Sequence, residues 1–191
     1  MNIFVLSDNP SVAAEMMLDK HVVKMPTESL QMISTIVDMH GYGVPFTPVM
    51  KNHPCTIWAR ESSKNFQWLV DHAHALCKEY TLRYNKKHKV QTLLEDYEYE
   101  IEQVGYELKK IKDVLTPFAI AIGPDMLCRK HPDFESADTV DKYRLYYLED
   151  KWRFACWELG SPKWWPNDHI HKKTQEWNEW LESENKRIRG Y

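Results

Sequence analysis

The sequence has little of what a β-sheet protein needs. It contains six glycines in 191 residues, and no strand-length segment alternates apolar and polar residues. One short stretch, residues 2–6 (Asn-Ile-Phe-Val-Leu), has the composition of a strand, although it is equally compatible with a buried N-terminal segment. The sparse glycine and the missing alternation therefore point away from a sheet protein.

Several signatures of catalytic sites are also missing. The cysteines form no C-x-x-C pair, so the sequence predicts free thiols in a reducing cytosol, with neither a disulfide framework nor a cysteine-based zinc site. It contains no H-E-x-x-H, G-x-S-x-G, Walker or G-x-G-x-x-G motif. We therefore expect no metal ion and no cofactor. The four cysteines are Cys55, Cys77, Cys128 and Cys156.

No apolar run approaches the ~18 residues of a membrane-spanning helix, and the N-terminus lacks a signal-peptide pattern. We expect a cytoplasmic protein with no membrane partner. The net charge is −3 and the pI about 6.3. A dedicated duplex-DNA binder is usually basic overall, so this balance weakens that class without removing it, because a local basic patch suffices.

What is present is helical periodicity. A chain of this length fits one domain, and we predict a single all-α domain over residues 1–191 with about five to six helices. Two proline-containing stretches, residues 41–56 and 113–135, are predicted as long loops. Helix is predicted from near residue 12 to residue 40, either continuous or broken near Pro26. Further helices are predicted over residues 62–84, 94–111, 138–159 and 171–189.

The segment from residue 19 to residue 31 carries two faces at helical spacing. Val22, Pro26 and Leu30 begin an apolar stripe that faces a core. The other face gathers amines, an imidazole, a carboxylate and an amide within roughly 16 Å, at ~1.5 Å per residue. Such a set can bind a phosphate and move a proton, and the alternative is a solvated face with Lys–Glu pairs. Its members are Lys20, His21, Lys24, Glu28 and Gln31.

The first predicted loop ends in a dense group of polar and aromatic residues, and the helix after it continues the pattern. Arginine suits contact with phosphate and tryptophan suits stacking on a base. The alternative is a proline-stabilised turn with a buried tryptophan and a structural histidine. The candidate substrate-binding residues here are Asn52, His53, Trp58, Arg60, Asn65, Trp68 and His72. The C-terminal half also interleaves aromatic and basic residues, over residues 143–153 and again at Lys163, Trp164 and Trp165. This pattern suits nucleic acid or a tryptophan-rich core.

These features occur in an order that resembles a known family. The motifs are Asp-Lys-His-Val-Val-Lys-Met from Asp19 and Asn-His-Pro with Ile-Trp-Ala-Arg from Asn52. They follow a short apolar N-terminal segment and precede the helix at residues 62–84. Over about the first 90 residues, the chain resembles the phage pyrimidine-dimer DNA glycosylase/AP lyase family, small all-α enzymes that flip a base and cleave through an imine. It also resembles a group of uncharacterised phage-encoded proteins that share both motifs.

The resemblance implies roles for particular residues. The family's phosphate-binding arginines fall near Lys20 and Lys24, and its catalytic glutamate falls at His21, with Glu28 as the carboxylate that would stand in for it. The family's nucleophile is an N-terminal α-amine, which here is that of Met1, and Lys20 or Lys24 is the alternative amine.

Three functions remain open at this point. The first is an enzyme, glycosylase/lyase-like or a nucleotide N-glycosidase, that cleaves an N-glycosidic bond of nucleic acid or nucleotide. The second is a non-catalytic phage protein that binds nucleotide or nucleic acid through the same residues. The third is an interaction protein that blocks a host factor through its aromatic C-terminal half.

Overall fold

The computed structural model describes residues 1–189, without the side chains of residues 188 and 189. Over that part of the chain it is all-helical and contains no strand, as predicted. The prediction of five to six helices is wrong, because the described residues form eight. They are α1 (Pro10–Met16), α2 (Asp19–Met39), α3 (Pro54–Arg60), α4 (Ser63–Tyr84), α5 (Lys89–Asp96), α6 (Glu98–Ile111), α7 (Thr139–Tyr146) and α8 (His169–Arg189).

One extra helix arises at Tyr97, where the predicted helix over residues 94–111 divides into α5 and α6. Tyr97 leaves helical geometry (φ −109°, ψ 18°) and ends one helix while it begins the next. The apolar periodicity runs across this break because Leu94 and Ile101 are buried in the same core. The periodicity of apolar residues shows which side of a helical segment is buried. It does not reveal a single residue at which the helix axis changes direction.

The predicted helix over residues 138–159 is shorter than expected. Asp138 caps α7 by accepting a hydrogen bond from the Asp141 amide, and α7 ends at Tyr146. The chain continues through a π-helical turn (Tyr147–Lys151) and a 3-10 turn (Trp152–Phe154). A π-helical turn is wider than an α-helical turn, and Lys151 is its last residue.

The centre of the fold is the pair α2 and α4, which lie antiparallel. The first residue of α2, Asp19, pairs with Arg83 in the last turn of α4 at 2.8 Å. At the opposite end, Arg60 of α3, just before α4 begins, contacts Met39 at the end of α2. α2 continues through Pro26, which is buried together with its neighbour Met25.

Arg83 joins three parts of the chain in the protein interior. Its side chain is 1% exposed. It bonds to Glu79 at 2.7 Å and to Asp19 at 2.8 Å, and it also donates to the carbonyls of Met17 and Glu15. The guanidinium therefore fixes the junction between α1 and α2 against the end of α4.

The N-terminal segment is buried and extended without pairing as a strand. The side-chain oxygen of Asn2 accepts from the amides of Ile3 and Phe4, and the side-chain NH2 group of Asn2 donates to the Ala121 carbonyl at 2.9 Å. Phe4 has a positive φ of 40°, a conformation that costs a non-glycine residue of order 1–3 kcal/mol. The hydrogen bonds of Asn2 and the surrounding core thus hold Phe4 in this unfavourable backbone conformation.

Candidate active site

The N-terminal α-amine lies against a carboxylate of α2. The nitrogen of Met1 is 3.7 Å from Oε2 of Glu28, whose side chain is 12% exposed. The other oxygen, Oε1, is 2.8 Å from Nζ of Lys24, one helical turn earlier and 70% exposed. Two amines thus share one largely buried carboxylate at the edge of the protein surface.

The local sequence explains why Glu28 faces the amine. Val22, Pro26 and Leu30 are buried in the core, so Lys24 and Glu28 lie on a neighbouring face of the same helix, four residues apart. The N-terminal segment reaches this face because Asn2 is anchored to Ala121. Helical spacing predicts the Lys–Glu pair, but only the buried path of residues 2–6 brings Met1 to it.

His53 lies at the edge of the same group. Its Nδ1 accepts a hydrogen bond from the Cys55 amide at 3.2 Å, which caps the start of α3. Burial lowers the pKa of His53, and the positive charge of the N-terminal amine acts in the same direction, while Glu28 and a hydrogen bond with the Met1 backbone act against them. His53 therefore lies close enough to Met1 and Glu28 for both charges to affect its pKa. Cys55 faces the same charges from inside, where burial raises the pKa of its thiol to about 12.

His21 lies in a separate aromatic environment. Its Nδ1 is 2.6 Å from the Tyr147 hydroxyl, and its ring stacks on Phe4 with centroids 4.2 Å apart. Burial lowers the pKa of His21 to about 3, and the charges of Lys151 and Lys24 act in the same direction. The imidazole is neutral at pH 7. The resemblance placed the family's glutamate at His21, whereas the carboxylate that pairs with the amine is Glu28.

Lys20 is exposed and points away from Glu28. Its Nζ lies over the ring of Phe154, 5.1 Å from the centroid. Gln31 is half-buried on α2 and Asn52 is exposed in the loop before α3. Of the residues predicted from α2, the structure therefore brings Lys24 and Glu28 to Met1, while Lys20 and His21 face the aromatic residues of the C-terminal half.

The predicted base-stacking residues lie in the core. Trp58 is 3% and Trp68 4% exposed. The two rings pack edge to face at 5.9 Å, and both contact Phe118. The Trp68 indole donates to the Asp8 carbonyl at 2.7 Å. A base that stacked on either ring would first have to displace these contacts.

The remaining predicted binding residues hold loops in place. Arg60 donates to the Lys51 carbonyl at 3.0 Å. Asn65, fully buried, donates to the Trp58 carbonyl and to the Thr116 hydroxyl, both at 2.7 Å, and accepts from the Thr116 amide. His72, also fully buried, contacts the Pro10 carbonyl at 2.9 Å, and burial lowers its pKa to about 4.

The C-terminal tryptophans contact the main body of the protein as well. Trp165 is 5% exposed, and the Trp164 indole lies 3.3 Å from the sulfur of Met16. Within residues 1–189, no three side chains of the metal-binding types come together. None of the helices in that range combines the length and the apolar character needed to cross a bilayer.

Sequence reasoning missed several residues that shape this surface, including Asn2, Phe4, Tyr147, Lys151 and Phe154. Asn2 and Phe4 lie in the stretch predicted to be a strand or a buried segment, but the sequence did not indicate their contacts, because the path of an irregular segment depends on what it packs against. The interleaved basic and aromatic residues around Lys151 did give a signal, but the pattern did not say that they face α2.

Residues 1–92 match the family described as pyrimidine dimer DNA glycosylase, which confirms the resemblance inferred from the sequence. The matched range contains Met1, Lys24, Glu28 and His53 and ends within α5. Neither the curated proteins nor the solved structures contain a match to the chain.

Proposed function

We propose that this protein cleaves the N-glycosidic bond of a nucleotide in DNA, with the α-amine of Met1 as nucleophile and Glu28 as the carboxylate that assists it. The observation that carries the proposal is the 3.7 Å approach of this amine to the largely buried carboxylate of Glu28. The match of residues 1–92 to a DNA glycosylase family supports DNA as the substrate class.

The chemistry follows from the two groups. A neutral amine attacks C1′ of the sugar, the bond from C1′ to the base breaks, and the base leaves with the bonding electrons and gains a proton from solvent. The amine then gives up a proton, and its lone pair forms the C1′=N bond as the C1′–O4′ bond breaks and O4′ takes up a proton. This step opens the sugar ring and leaves a protonated imine between Met1 and C1′. An α-amine gives up its proton more readily than a lysine side chain does.

Glu28 can assist both charged stages of this reaction. Its carboxylate can accept the proton that the amine releases, and it can stabilise the positive charge that develops on the sugar as the base departs. Lys24 holds one oxygen of that carboxylate, and it is exposed enough to contact a phosphate of the same strand. Trp58 and Trp68 have no stacking role in this proposal, because their rings are enclosed by core contacts.

The test is borohydride reduction during incubation with oligonucleotides that contain an abasic site or a pyrimidine dimer. Borohydride converts an imine to a stable secondary amine, and mass spectrometry of the digested adduct identifies the residue. We expect the adduct at Met1. A chain extended by Gly-Ser before Met1 moves the amine away from Glu28 and should form no adduct.

Glu28→Gln keeps the size of the side chain and removes its charge, and we expect the trapping rate to fall by about 10²–10³, the usual cost of one stabilising group. Glu102→Gln, on the exposed side of α6, is the matched control and should trap at the rate of the unsubstituted protein. An adduct at Lys20 or Lys24 would reassign the nucleophile. Binding of DNA with no adduct on any substrate, by a folded protein, would refute the proposal in favour of a non-catalytic binder.

A further inference from the structure

Beyond residue 92, the π-helical turn that follows α7 brings a second lysine to the surface next to α2. Nζ of Lys151 lies 4.3 Å from the centroid of Tyr146 and 5.9 Å from that of Phe154. Lys20 of α2 lies over the same Phe154 ring. Two ammonium groups from opposite halves of the chain therefore approach the same aromatic ring.

Neither ammonium has a carboxylate within 4.0 Å among the side chains that the structure describes. The acidic residues next to Lys151 are engaged elsewhere. Glu149 pairs with Lys173 at 2.6 Å, and Asp150 accepts from the amides of Leu127 and Cys128. In a protein of net charge −3, this surface is locally cationic.

The lysine pair, Lys20 and Lys151, adjoins the candidate active site. Lys151 and Lys24 both act on the His21 ring, where each disfavours its protonation. Lys24 in turn bonds to Glu28. The cations thus extend from the carboxylate at Met1, past His21, to the Phe154 ring. Like charges gathered around one aromatic ring, neither of them paired with a carboxylate, favour the binding of an external anion.

We infer that Lys20 and Lys151 bind a backbone phosphate of the DNA strand beside the nucleotide held at Met1 and Glu28, with Phe154 and Tyr146 fixing the two ammonium groups. The inference rests on the proposed function for the identity of the strand. It assigns a role in substrate binding to the part of the chain beyond the family match.

The test measures binding separately from chemistry. The probe is a fluorescent duplex with a tetrahydrofuran abasic analogue, which has no C1′ aldehyde and so forms no imine. Anisotropy titrations at several salt concentrations give the slope of log K against log salt, and its magnitude falls by about 0.9 for each duplex phosphate that the protein no longer neutralises. From the same relation, we expect the double variant Lys20→Gln with Lys151→Gln to reduce the slope by about 0.9, because one phosphate is then no longer neutralised, and Lys151→Gln alone to reduce it by up to about 0.9.

Lys151→Arg retains the charge and should retain the slope. Lys110→Gln, an exposed lysine of α6, is the control for a general reduction of charge and should leave the slope nearly unchanged, and circular dichroism checks that each variant is folded. Slopes for the Lys20 and Lys151 variants that equal that of Lys110→Gln would overturn the inference, as would an absence of DNA binding by the unsubstituted protein.

The borohydride experiment distinguishes this inference from the proposed function. A normal adduct at Met1 with unaltered slopes would remove the inference alone. Reduced slopes with no adduct would keep the phosphate site and remove the glycosylase chemistry.

Discussion

Arg83 should be the residue on which the stability of the N-terminal half depends most. Arg83→Met keeps the approximate length of the side chain and removes the guanidinium. The substitution leaves Glu79, 7% exposed, and Asp19, 17% exposed, without their positive partner. It also leaves the carbonyls of Met17 and Glu15 without a donor.

The magnitude follows from this burial. Removing one member of a buried ion pair typically costs about 3–5 kcal/mol, because a charge remains in the interior without compensation. For a chain of this size, each kcal/mol corresponds to roughly 2–4 °C in Tm. We therefore expect Tm to fall by about 6–20 °C, with the larger values if no water reaches the two carboxylates.

The assay is thermal and urea unfolding followed by circular dichroism, and Arg187→Met is the matched control. Arg187 also pairs with a glutamate, Glu184, but its side chain is 77% exposed, and exposed pairs contribute about 0–1 kcal/mol. Adding Glu79→Leu to Arg83→Met should recover part of the stability, because it removes one of the uncompensated charges. If Arg83→Met and Arg187→Met are equally mild, then Arg83 is not a buried charge that joins the helices.

Two further predictions concern buried polar groups. Burial lowers the pKa of His72 from 6.5 in the unfolded chain to about 4, so the unfolded chain binds this proton first as the pH falls. Stability should therefore decrease by up to about 1.4 kcal/mol per pH unit as the pH falls from about 6.5 to about 4, and His72→Asn, which cannot titrate, should flatten urea-unfolding stabilities measured across that range. An unchanged slope would show that His72 is solvated. Asn65→Ala should cost about 1–3 kcal/mol, because it removes the partner of the Thr116 amide and hydroxyl and one of the two donors to the Trp58 carbonyl. Gln67→Ala, whose side chain makes an exposed bond to Asp71, should cost little. Equal decreases in stability to chemical denaturation would contradict this.

The helical fold was predictable because burial repeats along the chain. α2 and α4 have apolar stripes that packing preserves, and their ends carry local signals such as Ser62, which caps α4 through its side chain. The break at Tyr97 and the π-helical turn after α7 were not predictable in this way. At both places the direction of the chain depends on packing against another segment. The pattern of residue types along the sequence does not record that direction.

For the candidate site too, some features were predictable from the sequence and others were not. The sequence singled out Met1, Lys24, Glu28 and His53 by their chemistry and by resemblance. It also singled out Trp58 and His72, which have the same functional groups as ligand-binding residues but lie in the core. Residue type and spacing do not distinguish a tryptophan that stacks on a ligand from one that packs on Phe118.

The sequence by itself therefore determined that the chain is helical, that Lys24 and Glu28 share one face of α2, and that its first part resembles a DNA glycosylase family. Helical spacing and local motifs are short-range properties, and these conclusions needed nothing else. Only the tertiary structure decided that the Met1 amine meets Glu28 and that Lys151 lies over the same ring as Lys20. Those contacts join residues far apart in the chain, and they exist because Asn2, Phe4 and Tyr147 pack the N-terminal segment and the turn after α7 against the rest of the fold.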